Sequence, residues 1–223
     1  VLEKYKPLTF YDILYLLRDY PDVYFVTDTK ELDPDIVRKQ FRCMVNAARS
    51  VDESLLNRLI PEIYTPEMFE VVAEIYRFPS VIYSLYMSAA TPEEVVRFAV
   101  ERGISVVAMP VERATKPFID LLNEHGILTY VHTTNSLEEV KALNEMGVYG
   151  FYTDFLTHRA LRGLEKQPKP SGDMPSDVSI NDSSGDVNGT GGMSVTAPAM
   201  FLLAMQIVFL IVLRKYRSGG IMG

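Results

Sequence analysis

Residues 59–76 read LIPEIYTPEMFEVVAEIY, and this stretch contains the pattern that decides the fold. The apolar run over residues 59–64 predicts a strand. Thr65, Pro66 and Glu67 follow it with three signals for the start of a helix: a capping hydroxyl, a proline where no amide hydrogen is needed, and an acidic first turn. The amphipathic segment that continues to Tyr76 completes one strand–helix unit.

The same unit recurs through residues 1–165. Strands are predicted over residues 23–26, 59–64, 81–86, 104–109, 128–132 and 149–152, with helices between them and one helix before them at residues 11–19. This alternation is typical of parallel strands joined by right-handed helical crossovers. Spacing alone permits either an open, doubly wound sheet or six of the eight strands of a TIM-type barrel. In both cases ligands bind at the carboxyl ends of the strands.

Polar side chains are concentrated at these predicted strand ends. They are Asp28, Lys30, Glu62, Tyr64, Ser84, Tyr86, His132, Thr134, Asn135, Thr153 and Asp154. No glycine-rich phosphate loop follows any of the strands, which disfavours a nucleotide-binding open sheet.

Composition excludes several classes of function. The 223 residues carry 29 acidic and 22 basic side chains, so a phosphate backbone would meet no overall positive field, and nucleic acid is a poor candidate partner. The single cysteine, Cys43, rules out an internal disulfide framework. Because it falls in a helical pattern between Phe41 and Met44, we predict that it is buried.

Two further regions follow the α/β domain. Residues 166–193 are mostly Pro, Gly, Ser, Asp and Asn, so we predict a disordered linker. Residues 198–213 form a run of sixteen residues without a charge, long enough for a helix of about 24 Å. We therefore predict that residues 194–223 form one transmembrane helix with a short basic tail.

The tail also indicates an orientation. Arg214, Lys215 and Arg217 follow the apolar run directly, and the positive-inside rule places such residues in the cytoplasm. We expect the globular domain on the extracytoplasmic side, which agrees with the two glycosylation sequons at Asn181 and Asn188. That arrangement requires a translocation signal, which we expect upstream of Val1 or removed by cleavage. A tail-anchored protein with a cytosolic domain is the alternative.

Three strand ends resemble the glycerophosphodiester phosphodiesterase family of the phosphatidylinositol phospholipase C-like barrels. Residues 24–30, YFVTDTK, match a strand that ends in a carboxylate, one residue and a lysine, with Asp28 where the family has glutamate. Residues 131–135, VHTTN, resemble the family's next-to-last strand, and residues 147–154, GVYGFYTD, its last. The resemblance extends over residues 8–155 and implies an incomplete TIM-type barrel made of the carboxyl-terminal six of eight strands.

The resemblance implies roles for Asp28 and Lys30, and position at a strand end makes Glu62 and His132 further candidates. Asp28 would be a ligand of a divalent ion, Mg²⁺ or Ca²⁺, and Lys30, two residues along the same strand, would hold the substrate phosphate. Glu62 is either buried polar packing or a substrate contact, and His132 is a wall residue or substrate contact where the family has tryptophan. The implied reaction is the metal-dependent hydrolysis of glycerophosphodiesters to glycerol phosphate and an alcohol.

The family's remaining catalytic motifs have no counterpart in this sequence. They are a His-Arg pair, a Glu-any-Asp metal pair and a second catalytic histidine, all of which we expect upstream of Val1. No catalytic residue is therefore identifiable in the chain, and we expect the chain alone to be inactive. The alternative is a membrane-tethered, non-catalytic barrel remnant that acts as a binding module.

Overall fold

The computed structural model describes residues 8–157, 159–161 and 164. Within them the strands are β1 (Phe25–Thr27), β2 (Leu59–Ile63), β3 (Ile82–Ser84), β4 (Val106–Pro110), β5 (Leu128–His132) and β6 (Gly150–Phe151). The helices are α1 (Phe10–Asp19), α2 (Pro34–Val51), α3 (Pro66–Ile75), α4 (Pro92–Arg102), α5 (Lys116–Glu124) and α6 (Leu137–Glu145). Two short 3₁₀ helices, Glu53–Arg58 and Val111–Arg113, precede β2 and follow β4.

All the strands of the described region lie in one parallel sheet, in the order in which they occur along the chain. A doubly wound sheet would reverse its strand order at a switch point, and no reversal occurs here. Sequential parallel order is the arrangement of a barrel. The predicted α/β class and six strands are confirmed, and a partial TIM-like barrel fits the sheet.

The sheet is curled, because side chains from its first and last strands meet in one apolar cluster. This inner cluster contains Val26, Ile60, Ile82, Ala108, Tyr130 and Tyr152, all of them buried. Neighbouring residues of the same strands, such as Val107 and Val131, face outward and pack against the helices. The two faces alternate along each strand with the period of two that a barrel requires.

Helices α3 and α4 each begin directly after a capping threonine. The Thr65 hydroxyl accepts a hydrogen bond from the amide of Met68 at 3.1 Å, and Pro66 begins α3. Thr91 and Glu94 form a reciprocal capping box at the start of α4. These caps satisfy amide groups that have no partner inside the helix.

Gly150 marks a close approach inside the curled sheet. A Cβ atom at this position would overlap the ring of Tyr130, which lies on the neighbouring strand β5. Glycine is therefore required at the start of β6 for the inner face to close around that ring.

The prediction for Cys43 is wrong, because its side chain is exposed. The buried face of α2 is formed by Val37, Phe41, Met44, Val45, Ala47 and Ala48. Cys43 lies off that stripe, although its immediate neighbour Met44 is on it.

No helix in the described part of the chain has the length and apolar character needed to cross a membrane. The predicted linker at residues 166–193 and the predicted membrane helix at residues 194–223 both lie outside the described residues.

Candidate functional site

A cavity of about 120 Å³ opens at the carboxyl ends of the strands. It is lined by Val26, Asp28, Lys30, Glu62, Tyr64, Ser84, Tyr86, His132, Thr133 and Tyr152. The curled sheet therefore brings the four predicted site residues Asp28, Lys30, Glu62 and His132 together, although 104 positions separate the first from the last.

Asp28 is held by two neighbours. The Lys30 ammonium lies 3.3 Å from one carboxylate oxygen, and the Tyr64 hydroxyl donates a hydrogen bond to the other. The Asp28 side chain is 10% exposed, so its carboxylate is largely shielded from water, whereas the Lys30 side chain is 42% exposed. These two contacts fix the orientation of the Asp28 carboxylate before any ligand binds.

Lys30 reaches Asp28 by a different route from the one that the sequence indicates. The sequence predicts that both side chains share one face of a continuing strand, but β1 ends at Thr27. Lys30 instead has a φ of 49°, in the left-handed region that non-glycine residues seldom adopt. The local turn, and not strand periodicity, directs its ammonium group back to the cavity.

Glu62 is buried on β2, 8% exposed, beside Asp28, which directly follows β1. Burial raises the pKa of Glu62 from 4.5 to about 7, and the neighbouring Asp28 charge adds to the rise, while Ser84 and Lys30 oppose it. The Ser84 hydroxyl faces this carboxyl without forming a hydrogen bond of ordinary geometry. Glu62 thus combines a buried carboxyl with access to the cavity.

His132 forms part of the cavity wall. Its ring stacks on Tyr152, with centroids 5.9 Å apart and an interplanar angle of 24°, and it also contacts Tyr86. Burial, followed by the nearby Lys30 charge, lowers the pKa of His132, which favours a neutral ring at pH 7. Its Nε2 atom is buried without a hydrogen-bond partner.

Two buried tyrosines supply neutral hydroxyl groups. Burial and the nearby Glu62 carboxyl raise the pKa of both Tyr64 and Tyr152 well above its ordinary value. Tyr64 uses its hydroxyl on Asp28, whereas the Tyr152 hydroxyl has no partner in the described structure. Nothing in the sequence spacing identifies the contact between Tyr64 and Asp28.

The motif residues Asn135, Thr153 and Asp154 bind one another beside the cavity and do not line it. The Asn135 side-chain oxygen accepts hydrogen bonds from the Asp154 amide at 2.8 Å and the Thr153 hydroxyl at 3.0 Å, and its NH₂ group donates to the Asp154 carboxylate at 3.2 Å. This network joins the segments that follow β5 and β6, so these residues fix the loops of the site.

The acidic groups provide only part of a metal site. No group of three His, Cys, Asp or Glu side chains in the described region is arranged to hold a metal ion. Asp28 fits the role of one oxygen ligand, because its carboxylate lines the cavity in a fixed orientation. Mg²⁺ commonly uses one or two carboxylates together with water and substrate phosphate, so a single ligand from this chain is compatible with such an ion.

A family model, the glycerophosphoryl diester phosphodiesterase family, matches residues 27–158. This segment makes up more than half of the chain and includes all four predicted site residues. It lies in the amino-terminal part of the sequence. No curated protein matches the chain.

Three solved structures have a similar fold. A protein from Silicibacter pomeroyi DSS-3, assigned as a glycerophosphoryl diester phosphodiesterase, is 15% identical with a TM-score of 0.54, over 68% of this chain and 54% of that one. The glycerophosphodiester phosphodiesterase from Parabacteroides distasonis ATCC 8503 is 14% identical with a TM-score of 0.56, over 69% of this chain and 62% of that one.

The third, from Galdieria sulphuraria and assigned to the same activity, is 15% identical with a TM-score of 0.56, over 69% of this chain and 66% of that one. At such low identities the likeness establishes the fold alone. The chain spans between 54% and 66% of the length of these three structures.

Proposed function

The chain belongs to the glycerophosphoryl diester phosphodiesterase family, and from this premise we propose that it provides the phosphate-binding side of a site that hydrolyses glycerophosphodiesters to glycerol phosphate and an alcohol. The observation that carries the proposal is the convergence of Asp28, Lys30, Glu62 and His132 on one cavity at the carboxyl ends of parallel strands. In barrels of this kind that end of the sheet carries the chemistry.

Lys30 and Asp28 have complementary roles in this proposal. Lys30 is the cation of the described cavity and holds a phosphate oxygen as a point charge. Asp28, oriented by Tyr64, serves as one ligand of a divalent cation, Mg²⁺ or Ca²⁺. When bound, such an ion supplies positive charge to the nonbridging phosphate oxygens.

Proton transfer requires groups beyond those that line the described cavity. Hydrolysis of a phosphodiester needs a base that delivers the nucleophile and an acid that protonates the departing alkoxide. His132 is the histidine of the described cavity wall, and its stacked ring suits it to binding the substrate. His125 lies at the end of α5 with its Nδ1 bound to the Leu121 carbonyl, and His158 is outside the described residues. We infer that the acid and base come from sequence outside the described residues.

A coupled assay of glycerol phosphate release tests this proposal. Glycerophosphocholine, glycerophosphoethanolamine and glycerophosphoinositol are offered to the EDTA-treated chain, with Mg²⁺ or Ca²⁺ added back, and to any longer form that its gene encodes. We expect turnover only in a form that supplies a His-Arg and a Glu-any-Asp strand. Turnover by the 223-residue chain itself would show that its acid and base lie within it.

A non-catalytic binding module is the second candidate. Hydrolysis needs both an acid and a base, and in the described region a single histidine lines the cavity, which favours this second candidate. If every form that the gene encodes binds phosphodiesters without hydrolysing them, this second function replaces the first.

We also propose that residues 194–223 anchor the protein in a membrane, with the globular domain on the extracytoplasmic side. The apolar run at residues 198–213 and the basic residues that follow it support this arrangement. Protease added to intact cells should cleave within residues 166–193 and release the domain. Cleavage that occurs only after permeabilisation would place the domain in the cytosol.

A further inference from the structure

Glu62 is a buried acid without a cationic partner of its own. Lys30 is the cation that lines the described cavity, and it forms its salt bridge with Asp28. Within the described residues Glu62 forms no salt bridge, although only 8% of the residue is exposed. Burial of this carboxyl disfavours its ionised form, so a ligand that brings a positive charge would stabilise the carboxylate and would itself be held by it.

Aromatic rings line the same cavity as this carboxyl. Tyr86, His132 and Tyr152 line the cavity together with Glu62, and their rings contact one another through His132. The Lys30 ammonium lies 5.3 Å from the centroid of the Tyr86 ring, so this wall already receives one ammonium group at a distance typical of cation–π contacts.

We propose that Glu62 and these rings receive the ammonium group of the leaving alcohol, so that the site prefers glycerophosphodiesters of amino alcohols. The inference rests on the proposed function and specifies its substrate class. Lys30 holds the phosphate, and Glu62, on the neighbouring strand, faces the cationic end of the same substrate. An aromatic wall with one carboxylate is the combination that recognises quaternary ammonium groups.

A neutral polyol is the competing ligand chemistry. The unpartnered hydroxyls of Ser84 and Tyr152 are able to hydrogen-bond to the hydroxyls of glycerol or inositol. Such a ligand would satisfy these two groups but would bring no charge that stabilises the ionised form of Glu62. The cationic ligand is therefore favoured, and the experiment below compares both.

Binding of two isosteric alcohols to the 223-residue chain tests the inference. Choline and its uncharged isostere 3,3-dimethylbutan-1-ol have nearly the same shape, so a difference in affinity reports the charge. NMR titration of the tyrosine ring signals should show choline binding about tenfold more tightly. Equal affinities would overturn the proposal, as would tighter binding of glycerol than of choline.

Substitutions test which residues cause the preference for choline over its uncharged isostere. Glu62→Gln keeps the size of the side chain and should remove most of the preference for choline, while Tyr86→Leu should reduce it by about threefold. Glu145→Gln, at the exposed end of α6, is the matched control and should change nothing. If Glu62→Gln leaves the preference intact in a variant that retains the wild-type circular dichroism, Glu62 is not the site. Should that variant fail to fold, an unchanged preference in Tyr86→Leu overturns the proposal.

The outcome is separable from that of the proposed function, because choline binding requires no turnover. Choline binding by the chain, with no diesterase activity in any form that the gene encodes, would refute the catalytic function and leave the ammonium site standing. Hydrolysis of glycerophosphoinositol as efficient as that of glycerophosphocholine would refute the ammonium preference and leave the catalytic function standing.

Discussion

The two sides of the cavity differ in how fully their polar groups are paired. On one side Asp28 is bound by Lys30 and Tyr64. On the other side the Ser84 hydroxyl, the Tyr152 hydroxyl and His132 Nε2 are buried without a hydrogen-bond partner in the described structure. Buried polar groups usually find partners, so these three groups of the cavity wall are available to a ligand. The paired side is organised before binding, whereas the unpaired side depends on what binds.

Removal of Asp28 should have the largest effect. In a catalytically competent form of the protein, Asp28→Ala eliminates the proposed cation ligand and the partner of Lys30, and activity should fall by about 10²–10³-fold. The measurement is kcat/KM as a function of Mg²⁺ and Ca²⁺ concentration, for which the variant should require more metal. An unchanged metal dependence would show that Asp28 is not a ligand.

Glu62→Gln should change how stability depends on pH. The Glu62 pKa is raised from 4.5 to about 7, so the native state keeps its proton where the unfolded state loses it. The stability that Glu62 contributes is fully present below pH 4.5 and is lost as the pH rises through 7. This loss lowers the wild-type free energy of unfolding by about 3 kcal/mol.

Urea unfolding in EDTA at several pH values between 4 and 8 measures this effect. Because glutamine does not ionise, the variant should lack this component of the pH dependence. Between pH 4 and pH 8 its free energy of unfolding should therefore rise relative to that of the wild type. Parallel stability curves for the two proteins would mean that Glu62 titrates normally. Glu145→Gln again serves as the exposed control.

Tyr64→Phe should weaken the paired side by a smaller amount. The substitution removes the hydroxyl that orients Asp28 and keeps the buried ring. A hydrogen bond to a charged group contributes about 1.5–3 kcal/mol, which corresponds to roughly a tenfold or greater loss of cation affinity if the orientation of Asp28 matters. Terbium luminescence or calorimetry on the chain measures cation binding directly. Unaltered affinity would restrict Tyr64 to a packing role.

The sequence predicts the elements of this fold better than it predicts their contacts. The threonine–proline starts of α3 and α4 and the bounds of β5 agree with the structure, because caps and apolar runs are local signals. Strand order is not local, and the spacing left a doubly wound sheet open until the pairing settled it. The 3₁₀ helix before β2 had no recognisable signal.

The site shows the same limit. Glu62 and His132 could be selected because they end predicted strands, and the resemblance singled out Asp28 and Lys30. The contact between Tyr64 and Asp28 joins side chains 36 positions apart and depends on strand register. The conformation of Lys30 departs from strand geometry, so no periodic pattern identifies it. The prediction that Cys43 is buried is wrong because adjacent positions of a helix can lie on different faces, and Met44 is on the buried face while Cys43 is exposed.

The smallest expected effect concerns two helix starts outside the cavity, where one threonine is hydrogen-bonded and the other is not. Thr91 caps α4 with its hydroxyl, whereas Thr115, at the equivalent position of α5, makes no side-chain hydrogen bond to its helix. Both threonines precede a helix with proline in its first turn, so the pair differs mainly in the capping bond. Thr91→Ala should lower the free energy of unfolding by about 1 kcal/mol, since it leaves an amide of the first turn without a partner, and Thr115→Ala should change it by only a few tenths. Urea unfolding of both variants measures the difference, and equal losses would show that the recorded hydrogen bond does not determine the contribution of either cap.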